Sequence, residues 1–286
     1  MRKIATLFLA LAAIVALARS AGADGTYQTL PFTQDWTNIG LINVSDDWSG
    51  VPGIIGFRGD NVTALIGVDP QTLTADVSPG PVDVNANQTN PVTFTTGGVT
   101  EFELTNPAVA IYGSGTADAP TLQFHINSTG LQNITVAYDL RDVEAGLDDA
   151  IQPVALHWRA GTTGAWNNVP LAFVADATTG TTDTQVTPVS VVLPSGADNL
   201  SELQIRVMTA NAGGNDEAVG VDNISVTGEA IPPPTGGCCQ PSSCSVTTAA
   251  DCAQSGGAYL GDGTDCAGCA TSAAKRSWGT LKTIYR

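Results

Sequence analysis

Cysteine is missing from the first 237 residues of this 286-residue chain, and all six cysteines fall between Cys238 and Cys269. That layout excludes a disulfide framework in the main body and confines one to a short C-terminal stretch. Lysine is missing between Asp24 and Glu229, where only four arginines (Arg58, Arg141, Arg159 and Arg206) stand against 24 acidic residues. A surface so negative repels phosphate backbones, which argues against direct nucleic-acid binding by this part of the chain. Only two histidines occur, His125 and His157. No Gly-x-Ser-x-Gly elbow supplies a serine for either, so a Ser-His-Asp hydrolase finds no support. Beyond the N-terminus no apolar run reaches the ~20 residues of a membrane-spanning helix.

What is present begins with a targeting pattern. Met1-Arg2-Lys3 precedes an apolar run from Ile4 to Ala18 broken only by Thr6, and Ala21-Gly22-Ala23 offers a small-x-small cleavage site. This reads as a secretory signal peptide over residues 1–23, with a mature chain starting at Asp24. Its removal takes three positive charges and no negative one, moving the net charge from −16 to −19. The expected location is secreted, extracellular or on the cell surface.

The expected organisation is a β-sandwich domain over 24–230, a Pro/Gly linker over 231–237, a Cys-rich module over 238–270 and a basic tail over 271–286. A domain of roughly 200 residues buries enough surface to fold without staples, whereas a module of roughly 34 residues needs disulfides or a metal. The tail carries Lys275, Arg276, Lys282 and Arg286 with Trp278, Leu281, Ile284 and Tyr285 at spacings of three and four, which suits a short basic helix.

Alternation with period two runs through the main body. Leu122, Phe124 and Ile126 alternate with Gln123 and His125; Ile134, Val136, Tyr138 and Leu140 with Thr135, Ala137, Asp139 and Arg141; Val154, Leu156 and Trp158 with Ala155, His157 and Arg159. Val189, Val191 and Leu193 form a further set, as do Leu203, Ile205 and Val207, and Gly/Thr/Asn/Ser clusters separate the sets. Such spacing predicts an all-β fold, an antiparallel β-sandwich or jelly roll. Phe32 to Leu41 and Ile54 to Phe57 are candidate strands, and Val68 to Asn90 reads as a long irregular excursion. In the last strand, Val219 and Val221 share one parity and Ile224 and Val226 the other, which predicts a β-bulge at Asp222-Asn223 that turns Asp222 toward a loop.

Two stretches, Ser114 to Gly180 and "GNDEAVGVDNISVTG" ending at Gly228, resemble a β-sandwich module of bacterial secreted proteins. That module often stands at the N-terminus of extracellular endonuclease/exonuclease/phosphatase-type and lamin-tail proteins. The resemblance implies a fold and an accessory role, and no reaction. "VDNISV" is also similar to the closing strand of carbohydrate-binding modules and MAM-like jelly rolls. In such folds a structural calcium often links the first strand to the last, which implies Asp35 and Asp222 as ligands. "GCCQPSSCSVTTAADCAQSGGAYLGDGTDCAGC" resembles a short cysteine motif of environmental bacteria.

Candidate sites follow from residue type. Three disulfides among Cys238, Cys239, Cys244, Cys252, Cys266 and Cys269 suit an oxidising compartment, with 15 connectivities open and pairing of the adjacent Cys238 and Cys239 disfavoured. Cys266-x-x-Cys269 also has the spacing of zinc ligands, although no histidine accompanies it. Carboxylates cluster at Asp139, Asp142, Glu144, Asp148 and Asp149 and at Asp216, Glu217 and Asp222, so Ca²⁺ is the candidate cofactor, with Asp35, Asp216 and Asp222 as candidate ligands. His157, Arg159, Arg141 and Arg206 share an outward parity that would make a patch for an acidic sugar or carboxylate, salt bridging to nearby acids being the alternative. Trp36, Trp48 and Trp166 are candidate sugar platforms against a packing role, and Trp158 has core parity. Seven Asn-x-Ser/Thr triplets occur, at Asn43, Asn61, Asn87, Asn127, Asn133, Asn199 and Asn223, and are read as unmodified in a bacterial setting. The expected function is a secreted, non-catalytic binding or adhesion module for an extracellular glycan or cell-surface polymer. The alternative is a structural envelope or matrix protein held by protein contacts and calcium, ahead of a secreted hydrolase.

Overall fold

The computed structural model describes residues 24–144, 150–178 and 183–269. The expected signal peptide, the basic tail, Asp148 and Asp149 lie outside the described residues. The chain divides into two compact units, Met1–Glu229 and Ala230–Arg286.

The larger unit is a β-sandwich of two sheets. The first contains β1 (Gln28–Thr29), β3 (Ile54–Phe57), β7 (Thr121–Asn127), β9 (Ala155–Ala160), β10 (Asn167–Asn168) and β12 (Leu203–Met208), in the order β1-β7-β12-β9-β10 with β3 also on β7. The second contains β2 (Phe32–Gln34), β4 (Asn85–Gln88), β5 (Gly98–Phe102), β6 (Ala108–Tyr112), β8 (Leu131–Asp142), β11 (Val186–Val192) and β13 (Val219–Ala230), in the order β11-β8-β13-β6-β5-β4 with β2 on β13. Most ladders are antiparallel, as expected, but β1–β7 and β4–β5 run parallel.

The alternating sets meet between the sheets. Leu122, Phe124, Ile126, Leu156, Ile205 and Val207 from the first sheet pack with Ile134, Val136, Tyr138, Leu140, Val189 and Val191 from the second in one buried cluster. At roughly 1.5–3 kcal/mol per buried large apolar side chain, this core accounts for a body that needs no cysteine. The expected bulge is present. Asn223 adopts φ 49°, and Val219, Val221, Ile224 and Val226 all enter the core despite their opposite parities.

β5 and β6 carry no alternation because both of their faces meet apolar clusters. Val99, Val109 and Ile111 join the main core, while Phe102, Ala108, Ala110 and Tyr112 form a second cluster with Val143, Ala218 and the partly buried Phe94.

The smaller unit is a three-stranded sheet of β14 (Thr235–Cys239), β15 (Cys244–Thr248) and β16 (Ala258–Tyr259) with one helix, α1 (Ala249–Gln254). Thr235, Gly236 and Gly237 pair with Thr248, Thr247 and Val246, so residues expected in a linker are strand. Glycine is required at 236, where a Cβ would collide with the Gly261 carbonyl oxygen. Three disulfides staple the unit: Cys238–Cys252, Cys239–Cys269 and Cys244–Cys266. No cysteine among the described residues is free, so the Cys266-x-x-Cys269 pair has no thiolate to offer zinc.

Candidate functional site: a covered polar face and a loop-end cavity

Strand register builds the outer face of the first sheet. Gln123, Arg206 and His157 lie side by side across β7, β12 and β9, and the next row is His125, Gln204 and Arg159. Parity places these polar side chains away from the core, as the sequence implies, but the face is covered. His157 is 0% exposed, Arg206 1% and His125 5%.

Over Arg206 and Arg159 the cover is the segment after Asp69, and over His125 it is Tyr27, edge-on at 5.3 Å. Arg206 donates to the Leu73 carbonyl. Arg159 donates to Asp76 at 2.9 Å, and the same carboxylate accepts from the Gly164 amide at 2.7 Å. The Trp166 amide donates to the Thr74 carbonyl at 2.8 Å, and the Asn168 side-chain amide to Gln71 at 3.2 Å. Trp166 is buried beneath both guanidinium groups, Arg159 and Arg206 each lying 4.2 Å from its ring. At that range the contact is worth roughly 2 kcal/mol when desolvated, and a ring only 5% exposed offers no platform for a sugar.

Both histidines are held neutral. Burial, then the neighbouring Arg206 charge, pushes His157 down to about 3. Burial likewise lowers His125, whose Nε2 lies 3.0 Å from the Gln123 side-chain nitrogen. An imidazole that resists protonation and is sealed from solvent is unsuited to general-base work near pH 7.

The other candidate residues take local roles. Trp36 and Trp48 are core residues rather than platforms: they are 3% and 0% exposed, meet edge-on at 6.4 Å, and donate their indole N–H to the Val221 and Asp83 carbonyls. Both belong to the main core cluster although they lie outside the strands, which is why their loop-like sequence context is misleading. Arg141 is on β8 of the second sheet, separate from His157, and forms an ion pair with Asp222 at 2.9 Å. Asn106 also donates to Asp222, so this carboxylate is turned toward a loop as the bulge implies. Asp35 is exposed and accepts from the Thr37 hydroxyl and amide, which lower its proton affinity. Asp216 accepts from the Ala212 amide at 2.7 Å, and burial raises it to about 6. Asp35, Asp216 and Asp222 therefore have separate partners and do not form a shared ligand set among the described residues.

Sequence reasoning missed the loops at one end of the sandwich. A cavity of about 670 Å³ opens there, lined by Gly67, Val68, Ile151, Pro153, Asn211 and Gly213 among others. The Gly67 amide donates to the Asn211 carbonyl at 2.7 Å, tying two of its loops together. The fully buried Gln152 secures a third, donating to Thr209 and to the Ala210 carbonyl and accepting from the Glu217 amide. Near this opening the aliphatic side chains of Leu65, Ile66 and Ile151 are 67%, 68% and 70% exposed. The only signal in the sequence was the Asn211-Ala212-Gly213-Gly214-Asn215 run, which reads as an ordinary loop.

No family model matches this chain, and no curated protein sequence matches it. Solved structures do resemble it. A carbohydrate-binding module specific for non-crystalline cellulose aligns over 52% of this chain and 99% of its own, with 17% identity and a TM-score of 0.34. The K3 cleaved adhesin domain of Lys-gingipain from Porphyromonas gingivalis W83 covers 68% of this chain and 96% of its own, at 12% identity and a TM-score of 0.35. A cyclase from Fischerella sp. TAU covers 63% and 86%, at 15% identity and a TM-score of 0.34. Likenesses at this level decide nothing about a ligand.

Proposed function

We propose that this chain is an extracellular, non-catalytic binding module whose ligand, a glycan or cell-surface polymer, seats in the loop-end cavity. The cavity carries this reading. Its volume lies within the roughly 300–1,000 Å³ of small-molecule sites. Its lining mixes aliphatic carbon from Val68 and Ile151 with the amide of Asn211 and glycine-rich backbone, which suits a sugar ring with apolar faces and a polar rim. Disulfides in the smaller unit fit an oxidising compartment, and no helix among the described residues is long and apolar enough to cross a membrane. The non-catalytic part of the reading is supported by the two buried, neutral histidines.

The test is retention on insoluble polysaccharides and on a glycan array, comparing the natural chain with Gly213→Tyr. Gly213 lines the cavity and a Cβ there meets nothing within 4 Å, so the variant adds a ring at the cavity wall without a clash at its Cβ. Retention lost in the variant, with an unchanged melting curve, supports the reading. Equal retention by both proteins, or none by the natural chain, overturns it.

A further inference from the structure

The smaller unit carries two kinds of disulfide. Cys238–Cys252 is sealed, both residues being 0% exposed, whereas Cys239, Cys244, Cys266 and Cys269 are each partly exposed. The two accessible bridges are nested: Cys239–Cys269 spans 30 positions and encloses Cys244–Cys266, which spans 22. They also lie against each other. The Sγ atoms of Cys239, Cys244 and Cys269 are all within 4.8 Å of one another, so one sulfur of the inner bridge sits beside both sulfurs of the outer one. A thiolate there is a short approach from attack on the neighbouring disulfide.

A second pairing is built into the same backbone. Cys239 and Cys244 are register partners across the antiparallel β14–β15 ladder. Directly opposed residues in such a ladder have Cα atoms about 4.5–5.5 Å apart, inside the roughly 4.4–6.8 Å that a disulfide bridges. Cys266 opens a 3₁₀ turn, Cys266–Gly268, and the amide of Cys269 closes it by donating to the Cys266 carbonyl at 3.1 Å. C-x-x-C is the spacing of exchange-active dithiols.

We propose that Cys239, Cys244, Cys266 and Cys269 form a thiol-exchange site that takes a low-molecular-weight thiol and moves between two disulfide pairings. The incoming thiolate attacks Sγ of Cys266. A mixed disulfide forms there, the Cys244–Cys266 bond breaks, and its electron pair leaves on Cys244. The Cys244 thiolate attacks Sγ of Cys239, forming Cys239–Cys244 and expelling Cys269 as a thiolate. Cys269 then attacks Cys266, forming Cys266–Cys269 and returning the small thiolate. Two disulfides become two disulfides, with no net oxidation and no proton consumed. The consequence is mechanical. In the nested pairing the two bridges tie the turn at Cys266 to the β14–β15 hairpin. After exchange the hairpin and the turn are each closed on themselves and no bridge joins them, while Cys238–Cys252 still holds β14 to α1. This site does not depend on the glycan reading.

The experiment uses the full chain, incubated with substoichiometric reduced glutathione at about pH 8, where thiolate is present. Acid stops the exchange, and pepsin digestion without reduction is followed by mass spectrometry. A peptide carrying Cys266–Cys269 as an internal disulfide is expected, with the Cys238–Cys252 link unchanged and the glutathione thiol undiminished. Cys266→Ser needs no added thiol, because it leaves Cys244 unpaired beside the outer bridge. Iodoacetamide should label Cys269 as well as Cys244 in that variant, since internal attack frees Cys269. Absence of the internal Cys266–Cys269 disulfide in the natural chain overturns the proposal. So does exchange of Cys238–Cys252 at the same rate, or labelling of a folded Cys266→Ser protein at Cys244 alone. Where Cys266→Ser does not fold, the mapping of the natural chain decides.

Discussion

Arg206 donates its Nε–H to Nδ1 of His157 over 3.0 Å, so a guanidinium on β12 fixes a neutral imidazole on β9. Two donors cannot share that contact, so protonating the ring would break the bond and set two cations side by side. His157 is accordingly expected to stay neutral through pH 5, its ring resonances unmoved in an NMR titration from pH 8 to 5. The folded value of about 3 lies below the ordinary histidine value of about 6.5. Its contribution to stability is thus complete above pH 6.5 and is lost as the pH falls from there toward 3. Denaturant midpoints at pH 7.5, 5.5 and 4.5 should show this loss, and His157→Gln should flatten it.

Trp48 and Trp166 are expected to behave as packing residues. Trp48→Ala leaves a cavity in the core and should cost about 3–5 kcal/mol. Trp166→Ala should destabilise as well, since it strips the cover from Arg159 and Arg206. Thermal melts then decide how a binding assay is read: loss of retention in either variant must track the folded fraction. A Trp166→Ala protein that melts normally and loses only glycan retention would restore the platform role.

The two halves of the Arg141–Asp222 pair should not be equivalent. Arg141→Met leaves a carboxylate that is 0% exposed without its counter-ion, at a cost of about 3–5 kcal/mol. Asp222→Asn keeps an acceptor for the Asn223 amide and removes the charge, so it should cost about 1–2 kcal/mol. Burial already raises the proton affinity of Asp222 despite Arg141. Without Arg141 it rises further, so the Arg141→Met deficit should be larger at pH 8 than at pH 5. Chemical denaturation of both variants at the two pH values checks the order.

Reduction should unfold the smaller unit alone. In the loop-entropy account the Cys238–Cys252 bridge, 14 residues apart, contributes about 3 kcal/mol, and the Cys239–Cys269 bridge, 30 apart, about 4 kcal/mol. The larger unit up to Glu229 contains no cysteine. Amide hydrogen exchange with and without dithiothreitol should therefore show protection lost over residues 235–269 and retained in β7, β9 and β12.

Legibility followed from whether the two faces of a strand meet the same kind of surroundings. β7, β8, β9 and β12 could be placed by alternation because their two faces meet different surroundings. β5 (Gly-Val-Thr-Glu-Phe) and β6 (Ala-Val-Ala-Ile-Tyr) feed apolar clusters on both faces, so period two is absent and the sequence marks neither. The Asn-x-Ser/Thr triplets have a conformational explanation as well. Asn87, Asn133, Asn199 and Asn223 sit at φ between 49° and 57°, a region that asparagine tolerates better than most residues. The candidate site was less legible. Parity assigned His157, Arg159 and Arg206 to one outer face, but a segment more than 80 positions away from Arg159 covers it, and no local pattern encodes that contact.

The sequence by itself determined the all-β body, the alternating core sets, the bulge at Asp222-Asn223 and the confinement of disulfides behind residue 237. Each of these rests on short-range periodicity, on backbone preference or on residue count. Only the tertiary structure decided that the tryptophans face inward and that Arg141 serves Asp222. Those are contacts between distant segments, and their energy comes from desolvating groups that nothing local brings together.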